Sequence, residues 1–292
     1  MNESFDVVSA QQMTAGELAS SADEMQTAGE NLQARELLEL AVKVHPQHGG
    51  LWHNLGIMCA HTGDNAEALI AYSQAIDLGY ESEVNRGLVY EQVGDFESAE
   101  KDYRTALSRN SDDVEALINL GTLSLGSGSL AEATTLLTHA ASLDPATNWQ
   151  LADALVADGD VHGAITALRR AIEAGELRAY LELADLEADH EGKFTVVDHY
   201  NHAIIAGASW ARRNLAIYLD ERGDHGEALT VARAGVEAGD GLCHAPLAVM
   251  LEADGDIDGA IAQYRLAVAN GDVAYEEDLA HLLEARNDSQ GA

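Results

Sequence analysis

Proline, cysteine and aromatic residues are scarce in this chain. Its 292 residues include 3 prolines and 2 cysteines, and only 5% of the residues are aromatic. Sheet-rich proteins depend on aromatic and β-branched residues and on frequent turns, so this composition favours helices. Because Cys59 and Cys243 lie far apart, they cannot form a disulfide framework, and we expect reduced thiols in the core.

Basic residues and long apolar runs are also few. The 16 lysines and arginines stand against 50 aspartates and glutamates, which gives a net charge of −34. Such an acidic surface repels phosphate, so we expect no direct binding to nucleic acid or to anionic membranes. The N-terminal sequence MNESFDVV has no signal-peptide pattern, and no apolar run is long enough for membrane insertion. These absences predict a cytoplasmic protein, and they leave its oligomeric state open.

Small residues, in contrast, recur at intervals of 31 to 34 residues. One set is Ala22, Gly56, Gly87, Gly121, Ala152, Ala184, Ala216 and Ala248, with a ninth member at Ala280. A second set follows each of the first eight by twelve residues: Ala34, Ala68, Ala99, Ala133, Ala164, Val196, Ala228 and Ala260. A third small residue follows seven positions after each member of the second set. A fixed spacing over this length indicates a repeat protein.

Glycines recur at two places in the repeats, between the predicted helices and at the end of a repeat. Most repeats carry a glycine followed by Asp or Ser between the first two sets, at Gly63-Asp64, Gly94-Asp95, Gly128-Ser129, Gly159-Asp160, Gly223-Asp224 and Gly255-Asp256. Other glycines end repeats, at Gly79, Gly175, Gly207, Gly239 and Gly271. Glycine can end a helix in the left-handed conformation, and Asp or Ser can cap the next one. Each repeat is therefore predicted to be two helices around a tight turn, with small residues where the helices approach.

This pattern resembles the tetratricopeptide repeat, most clearly at Trp52-Leu55-Gly56 and Ala68-Tyr72-Ala75. The resemblance implies an all-α superhelical solenoid of about eight helix-turn-helix repeats with a C-terminal capping helix. We expect a single domain over residues 15–286 with flexible ends at 1–14 and 287–292. The predicted units are about 15–46, 47–79, 80–111, 112–145, 146–175, 176–207, 208–239 and 240–271, followed by a cap at 273–286. In the sixth unit the turn glycine, Gly192, is displaced by one position, which leaves open whether that unit is a hinge.

Catalytic and metal-binding signals are weak. The chain has no Gly-rich phosphate loop, no G-x-S-x-G and no H-E-x-x-H, so we expect no enzyme and no cofactor. His199 and His202 share a helix face near His190 and Asp198, but no second pair has metal-ligand spacing. We therefore expect no metal site and a solvated helix face at these histidines.

Amides two residues before the small residues are the candidate binding groups. The resemblance implies that this side of the first helices lines a concave groove, where asparagines can hold the backbone of an extended peptide. Asparagine is also usual at this position of the family, so a role in the fold alone stays equally open. The predicted groove comprises Asn54, Asn85, Asn119, Gln150, Asn214, His53, Ile57, Leu88, Trp149, Asp153, Asp185 and Ile217.

These features predict a non-enzymatic scaffold or adaptor that binds a peptide segment of another protein. Because acidic residues far outnumber basic ones in the chain, and Asp153 and Asp185 lie among the groove positions, we expect a basic or neutral segment. One alternative is a regulatory sensor whose superhelical pitch changes when it binds a short peptide or small ligand. A third possibility is an acidic mimic of nucleic acid that sequesters a DNA-binding protein.

Overall fold

A computed structural model of the protein describes the backbone of residues 10–188 and 193–291 and the side chains of 10–187 and 196–286. Over these residues the chain forms seventeen α-helices and three short 3₁₀-helices, and it forms no strand. The predicted all-α solenoid fold is thereby confirmed. Within the same residues, no helix combines the length and hydropathy that a membrane crossing requires.

The helices group into two compact units, Met1–Asp160 and Val161–Ala292. The first unit contains α1 (Ala15–Thr27), α2 (Asn31–Val44), α3 (Gly49–His61), α4 (Asn65–Asp77), α5 (Glu83–Gln92), α6 (Phe96–Arg109), α7 (Val114–Gly126), α8 (Leu130–Leu143) and α9 (Asn148–Asp158). The second contains α10 (Val161–Glu173), α11 (Ala179–Ala188), α12 (Lys193–Ile205), α13 (Ala211–Glu221), α14 (His225–Glu237), α15 (His244–Ala253), α16 (Ile257–Ala269) and α17 (Glu276–Gly291). Short 3₁₀-helices at Pro145–Thr147, Gly241–Cys243 and Val273–Tyr275 precede α9, α15 and α17. The division falls between α9 and α10, inside the fifth predicted repeat.

Left-handed glycines separate the helices as predicted. Twelve glycines have φ between 79° and 97°, and they include every glycine named above at a turn or at the end of a repeat except Gly192, which lies outside the described residues. The twelfth is Gly29, which the sequence pattern did not single out because Glu30 follows it instead of Asp or Ser. A side chain at such a φ would be strained, which explains why the turns retain glycine.

The capping prediction holds at some turns and fails at others. Asp64, Asp95 and Asp256 each accept a hydrogen bond from a backbone N–H in the first turn of the following helix. Ser129 and Asp224 make no such bond. At Ser129 the hydroxyl instead accepts a hydrogen bond from Ser127 Oγ at 3.3 Å.

The small residues allow the two helices of a repeat to approach closely. A Cβ on Gly56 would lie 2.6 Å from the ring of Tyr72, and a Cβ on Gly87 would lie 2.5 Å from the ring of Tyr103. In the next repeat the large residue is Leu137, 2.7 Å from a Cβ on Gly121. Any side chain at these glycines would therefore overlap a large residue of the second helix, as the spacing predicted.

The ends of the described chain are held by specific contacts. Residues 10–14, part of the predicted flexible N-terminus, include a buried Ala10 and the Met13 carbonyl, which lies 3.0 Å from His45 Nε2. At the other end, Leu282 of α17 is buried against the last repeat, and Tyr275 stacks on Tyr264 at 5.7 Å. Helix α17 continues past the predicted limit at 286, since no glycine or proline interrupts it before Gly291.

Both cysteines are buried and free. Burial raises the pKa of Cys59 to about 11 and that of Cys243 to about 12, so both thiols stay protonated near neutral pH. They behave as small core residues.

Candidate functional site

Four side-chain amides occupy equivalent positions on the first helices of the first unit. This amide row consists of Asn54 on α3, Asn85 on α5, Asn119 on α7 and Gln150 on α9. Each amide precedes its small residue by two positions, so it is turned about 200° around the helix from the packed face. All four are half-buried, and none has a hydrogen-bond partner among the described residues.

Two neighbouring members of the amide row contain buried polar atoms that lack a partner in the described structure. Asn119 Nδ2 is a donor and Gln150 Oε1 is an acceptor. Their helices, α7 and α9, contact each other directly. A buried polar atom without a partner costs about 1–3 kcal/mol, so a bound group that supplies the missing hydrogen bonds would be favoured here. A peptide group carries both an N–H and a C=O, and it could complete both kinds of bond.

His53 differs from the amides beside it because its ring already has several partners. Its Nδ1 lies 2.8 Å from Ser82 Oγ, at the start of α5. Its ring centre is 5.0 Å from that of Tyr80 and 5.7 Å from that of Tyr72. Burial lowers the pKa of His53, which favours the neutral imidazole. The histidine therefore links two consecutive repeats and offers a neutral aromatic surface.

The structure divides the other predicted groove residues between the units. Ile57, Leu88 and Trp149 are half-buried in the first unit, and Asp153 is exposed there. The remaining three lie in the second unit, where Asn214 and Ile217 are half-buried and Asp185 is exposed. The four amides of the amide row therefore all lie in the first unit, whereas the other predicted groove residues are divided between the two units.

An acidic cavity of about 170 Å³ opens beside Asn85. Its walls are the start of α5, the end of α6 and the start of α7, with carboxylates at Glu81, Glu83, Asp113 and Glu115. One guanidinium, Arg109, also lines it, and its Nη1 pairs with Glu83 Oε1 at 2.5 Å. Carboxylates thus outnumber the cation, and the cavity favours a positively charged group.

The sequence analysis did not identify Glu81 and Glu115 as site residues. Their signal was present, since each lies six residues before the small residue of its repeat, Gly87 or Gly121. The regular spacing places two exposed carboxylates at equivalent positions of neighbouring repeats.

A buried ion pair supports the helix that carries Asn85, and the sequence analysis also missed it. Arg86 donates to both carboxylate oxygens of Asp102 at 2.7 Å, and to Ser73 Oγ at 2.9 Å. The side chain of Asp102 is only 5% exposed. Neighbouring repeats have leucine where this one has Arg86, for example Leu55 and Leu120. A charge at that core position requires a buried partner, and this was the available signal.

In the second unit, His199 has a different environment from the solvated face that was expected. Its Nε2 lies 2.6 Å from Glu187 Oε2, and only 17% of its side chain is exposed. The fully buried Glu187 also accepts a bond from Arg169 Nη2 at 2.9 Å. The expectation was wrong for His199 because α11 places Glu187 against its ring, whereas His202 is exposed as expected. Among the described residues no group of three potential ligands could hold a metal ion, and His190 lies outside them.

Comparison with known families and structures identifies the repeat. A family model described as Tetratricopeptide repeat matches residues 21–80, 84–146 and 150–195, and a second model with the same description matches 209–234. No curated protein matches the chain.

Several solved structures share the fold. A tetratricopeptide repeat protein from Parabacteroides merdae is 18% identical to this chain, with a TM-score of 0.53. The matched region covers 92% of this chain and 97% of that protein. The pilF protein of Pseudomonas aeruginosa is 17% identical, with a TM-score of 0.56, and the match covers 67% of this chain and 91% of pilF. The APC/C hetero-tetramer Cut9-Hcn1 gives the same identity and TM-score, with coverage of 66% and 40%. Identities this low establish similarity of fold only.

Proposed function

Since the chain belongs to the tetratricopeptide repeat family, we propose that it is a non-enzymatic scaffold that binds a segment of another protein. The family is a stack of repeats that presents extended surfaces, and such surfaces suit protein partners. A cytoplasmic location is part of the proposal, supported by the two free cysteines, Cys59 and Cys243.

The bound segment is extended and lies along the amide row of the first unit. The observation that carries this proposal is the set of four unpartnered amides, Asn54, Asn85, Asn119 and Gln150. An extended chain leaves its backbone N–H and C=O groups free for partners, and each amide offers both a donor and an acceptor. Recognition through the backbone tolerates many side-chain sequences.

The segment is basic or neutral, and the acidic cavity beside Asn85 supports a basic side chain there. A lysine or arginine in that cavity would meet Glu81, Asp113 and Glu115 without displacing the ion pair of Glu83. Acidic segments would be repelled by the same groups and by the net charge of −34.

Affinity capture with the full chain, followed by mass spectrometry, supplies a partner whose bound segment can be mapped with synthetic peptides. The mapped peptide is then compared with versions in which single backbone nitrogens are methylated. Methylation removes a backbone N–H but keeps the side chain. We expect methylation inside the segment to weaken binding by at least about tenfold. If every methylated peptide binds as tightly as the parent, the backbone is not what the amides recognise.

A further inference from the structure

A second cavity of the first unit shares no residue with the amide row or with the acidic cavity beside Asn85. It lies between the second helix of the third repeat, α6, and both helices of the fourth, α7 and α8, and its volume is about 270 Å³. Pockets for drug-sized ligands measure about 300–1,000 Å³, so this volume suits a single long side chain. The lining includes Phe96, Glu97, Glu100, Leu123, Ser124 and Glu132.

The cavity contains a serine at a position where the neighbouring repeats carry a large side chain. Ser124 follows the small residue of its repeat by three positions, and the equivalent residues are Tyr90 in the preceding repeat and Leu155 in the following one. Ser124 is only 5% exposed, and its hydroxyl has no hydrogen-bond partner among the described residues. Because a buried hydroxyl without a partner is costly, a bound group that reaches it with a polar atom would be favoured.

Carboxylates line the same cavity. Glu97 and Glu100 belong to α6, and Glu132 belongs to α8. Arg104 Nε lies 2.8 Å from Glu100 Oε1 and Arg104 Nη2 lies 2.7 Å from Glu132 Oε1. Glu97 has no ion pair among the described residues. Three carboxylates therefore face one guanidinium, and this excess of negative charge favours a cation in the cavity.

Phe96 adds an aromatic ring to these carboxylates. It begins α6 and is 57% exposed, whereas Leu130 and Val161, which begin the second helices of the next two repeats, are half-buried. A planar guanidinium can stack on an aromatic ring while its N–H groups donate to carboxylate and hydroxyl oxygens. The apolar stem of the same side chain could lie against Leu123. These groups together match arginine better than lysine, whose ammonium is compact and strongly hydrated.

We propose that the cavity between α6, α7 and α8 receives an arginine side chain of a partner protein. This inference rests on the scaffold function proposed above, but it involves neither the amide row nor the cavity beside Asn85. The first unit would then hold its partner at two separate places.

The test uses the full chain, isotopically labelled for NMR, and the peptide acetyl-Gly-Gly-Arg-Gly-Gly-amide. The backbone amide signals of Phe96, Ser124 and Ser127 report on the proposed cavity, and those of Asn85 and Glu115 report separately on the other one. A second peptide carries citrulline, which has the shape of arginine without its charge, and a third carries lysine. At the first set of signals we expect the arginine peptide to bind at least about tenfold more tightly than the citrulline peptide, with lysine between them.

Equal affinity of the arginine and citrulline peptides, or the absence of saturable shifts at Phe96 and Ser124, would overturn the proposal. Lysine binding as tightly as arginine would overturn the assignment to arginine.

Two protein variants change the cavity in different ways. Ser124→Leu fills it with the residue that the following repeat has at this position, and it should lower affinity at the Phe96 and Ser127 signals at least about tenfold. Phe96→Ala removes the exposed ring and should lower affinity at least about threefold, with little effect on the fold. The matched control is Ile70→Ala, since Ile70 is 54% exposed on α4, outside the cavity. We expect this control to bind like the parent, whereas parent-like binding by either cavity variant would overturn the proposal.

The titration requires no captured partner, so its outcome is separate from that of the proposed function. Failure to capture a partner protein would contradict the scaffold function, whereas failure of the arginine titration alone would contradict the role of this cavity. The variant N54A/N85A/N119A should bind the arginine peptide at the Phe96 and Ser124 signals like the parent. Loss of binding there would show that the cavity does not act independently of the amide row and would overturn the proposal.

Discussion

Replacement of Gly87 by alanine tests whether close helix approach is the reason for the repeated small residues. The new Cβ would lie 2.5 Å from Tyr103 Cε1 and 2.9 Å from its Cζ. The ring of Tyr103 is fully buried, and its hydroxyl donates to Glu91 Oε1 at 2.6 Å. Because both the packing and this bond fix the ring, it cannot turn aside without loss.

The size of the effect follows from two opposing contributions. Overpacking in a core costs about 1–3 kcal/mol. Alanine favours the helix over glycine by up to about 1 kcal/mol. We therefore expect Gly87→Ala to lower the free energy of unfolding by up to about 2 kcal/mol. In α1, Gly16 has no atom within 4 Å of its would-be Cβ, so Gly16→Ala should gain up to about 1 kcal/mol.

Equilibrium urea unfolding, followed by circular dichroism, measures both variants. The difference between them isolates the steric overlap and should be about 1–3 kcal/mol. Gly121→Ala should fall between the two, because Leu137 can change rotamer more easily than a buried tyrosine. Equal stability of Gly87→Ala and Gly16→Ala would refute the explanation of the small residues.

Three further outcomes follow from the charges. Asp102→Asn should cost about 3 kcal/mol in urea unfolding because Arg86, only 20% exposed, keeps its charge without a charged partner, and R86M/D102L should recover most of the loss. The hydrogen bond to Asp220 raises the pKa of His225, and the one to Asp254 raises it further. Protonated His225 therefore stabilises the fold below its ordinary pKa of about 6.5, and this stabilisation is lost as the pH rises through the raised pKa. Hydrogen-exchange protection of α13–α16 should therefore fall from about pH 6 to pH 8 in the parent and less in His225→Asn. Binding of a basic segment should weaken from low to half-molar salt, since exposed charges are screened over about 8–10 Å at ordinary ionic strength; salt-independent titrations would contradict an acidic groove.

The sequence predicted those features that depend on local periodicity. The left-handed glycines and the close approach at Gly56 and Gly87 follow from residue types at fixed spacing, because each requires a small or flexible residue in one place. The amide row could be placed on one helix face for the same reason. The partners of individual polar groups could not be predicted, as Arg86 and His199 show. Their partners come from other helices, so their position depends on tertiary packing that spacing alone does not define.

Binding by the variant N54A/N85A/N119A tests the central claim most directly. These three amides come from consecutive repeats and have no hydrogen-bond partner among the described residues, so their removal should leave the melting temperature nearly unchanged. Titration of the mapped extended segment should show affinity reduced at least about tenfold, or about 1.4 kcal/mol. Each single replacement should give only part of that loss. A triple variant that melts early, or that binds the segment as tightly as the parent, would show that the asparagines serve the fold and not the partner.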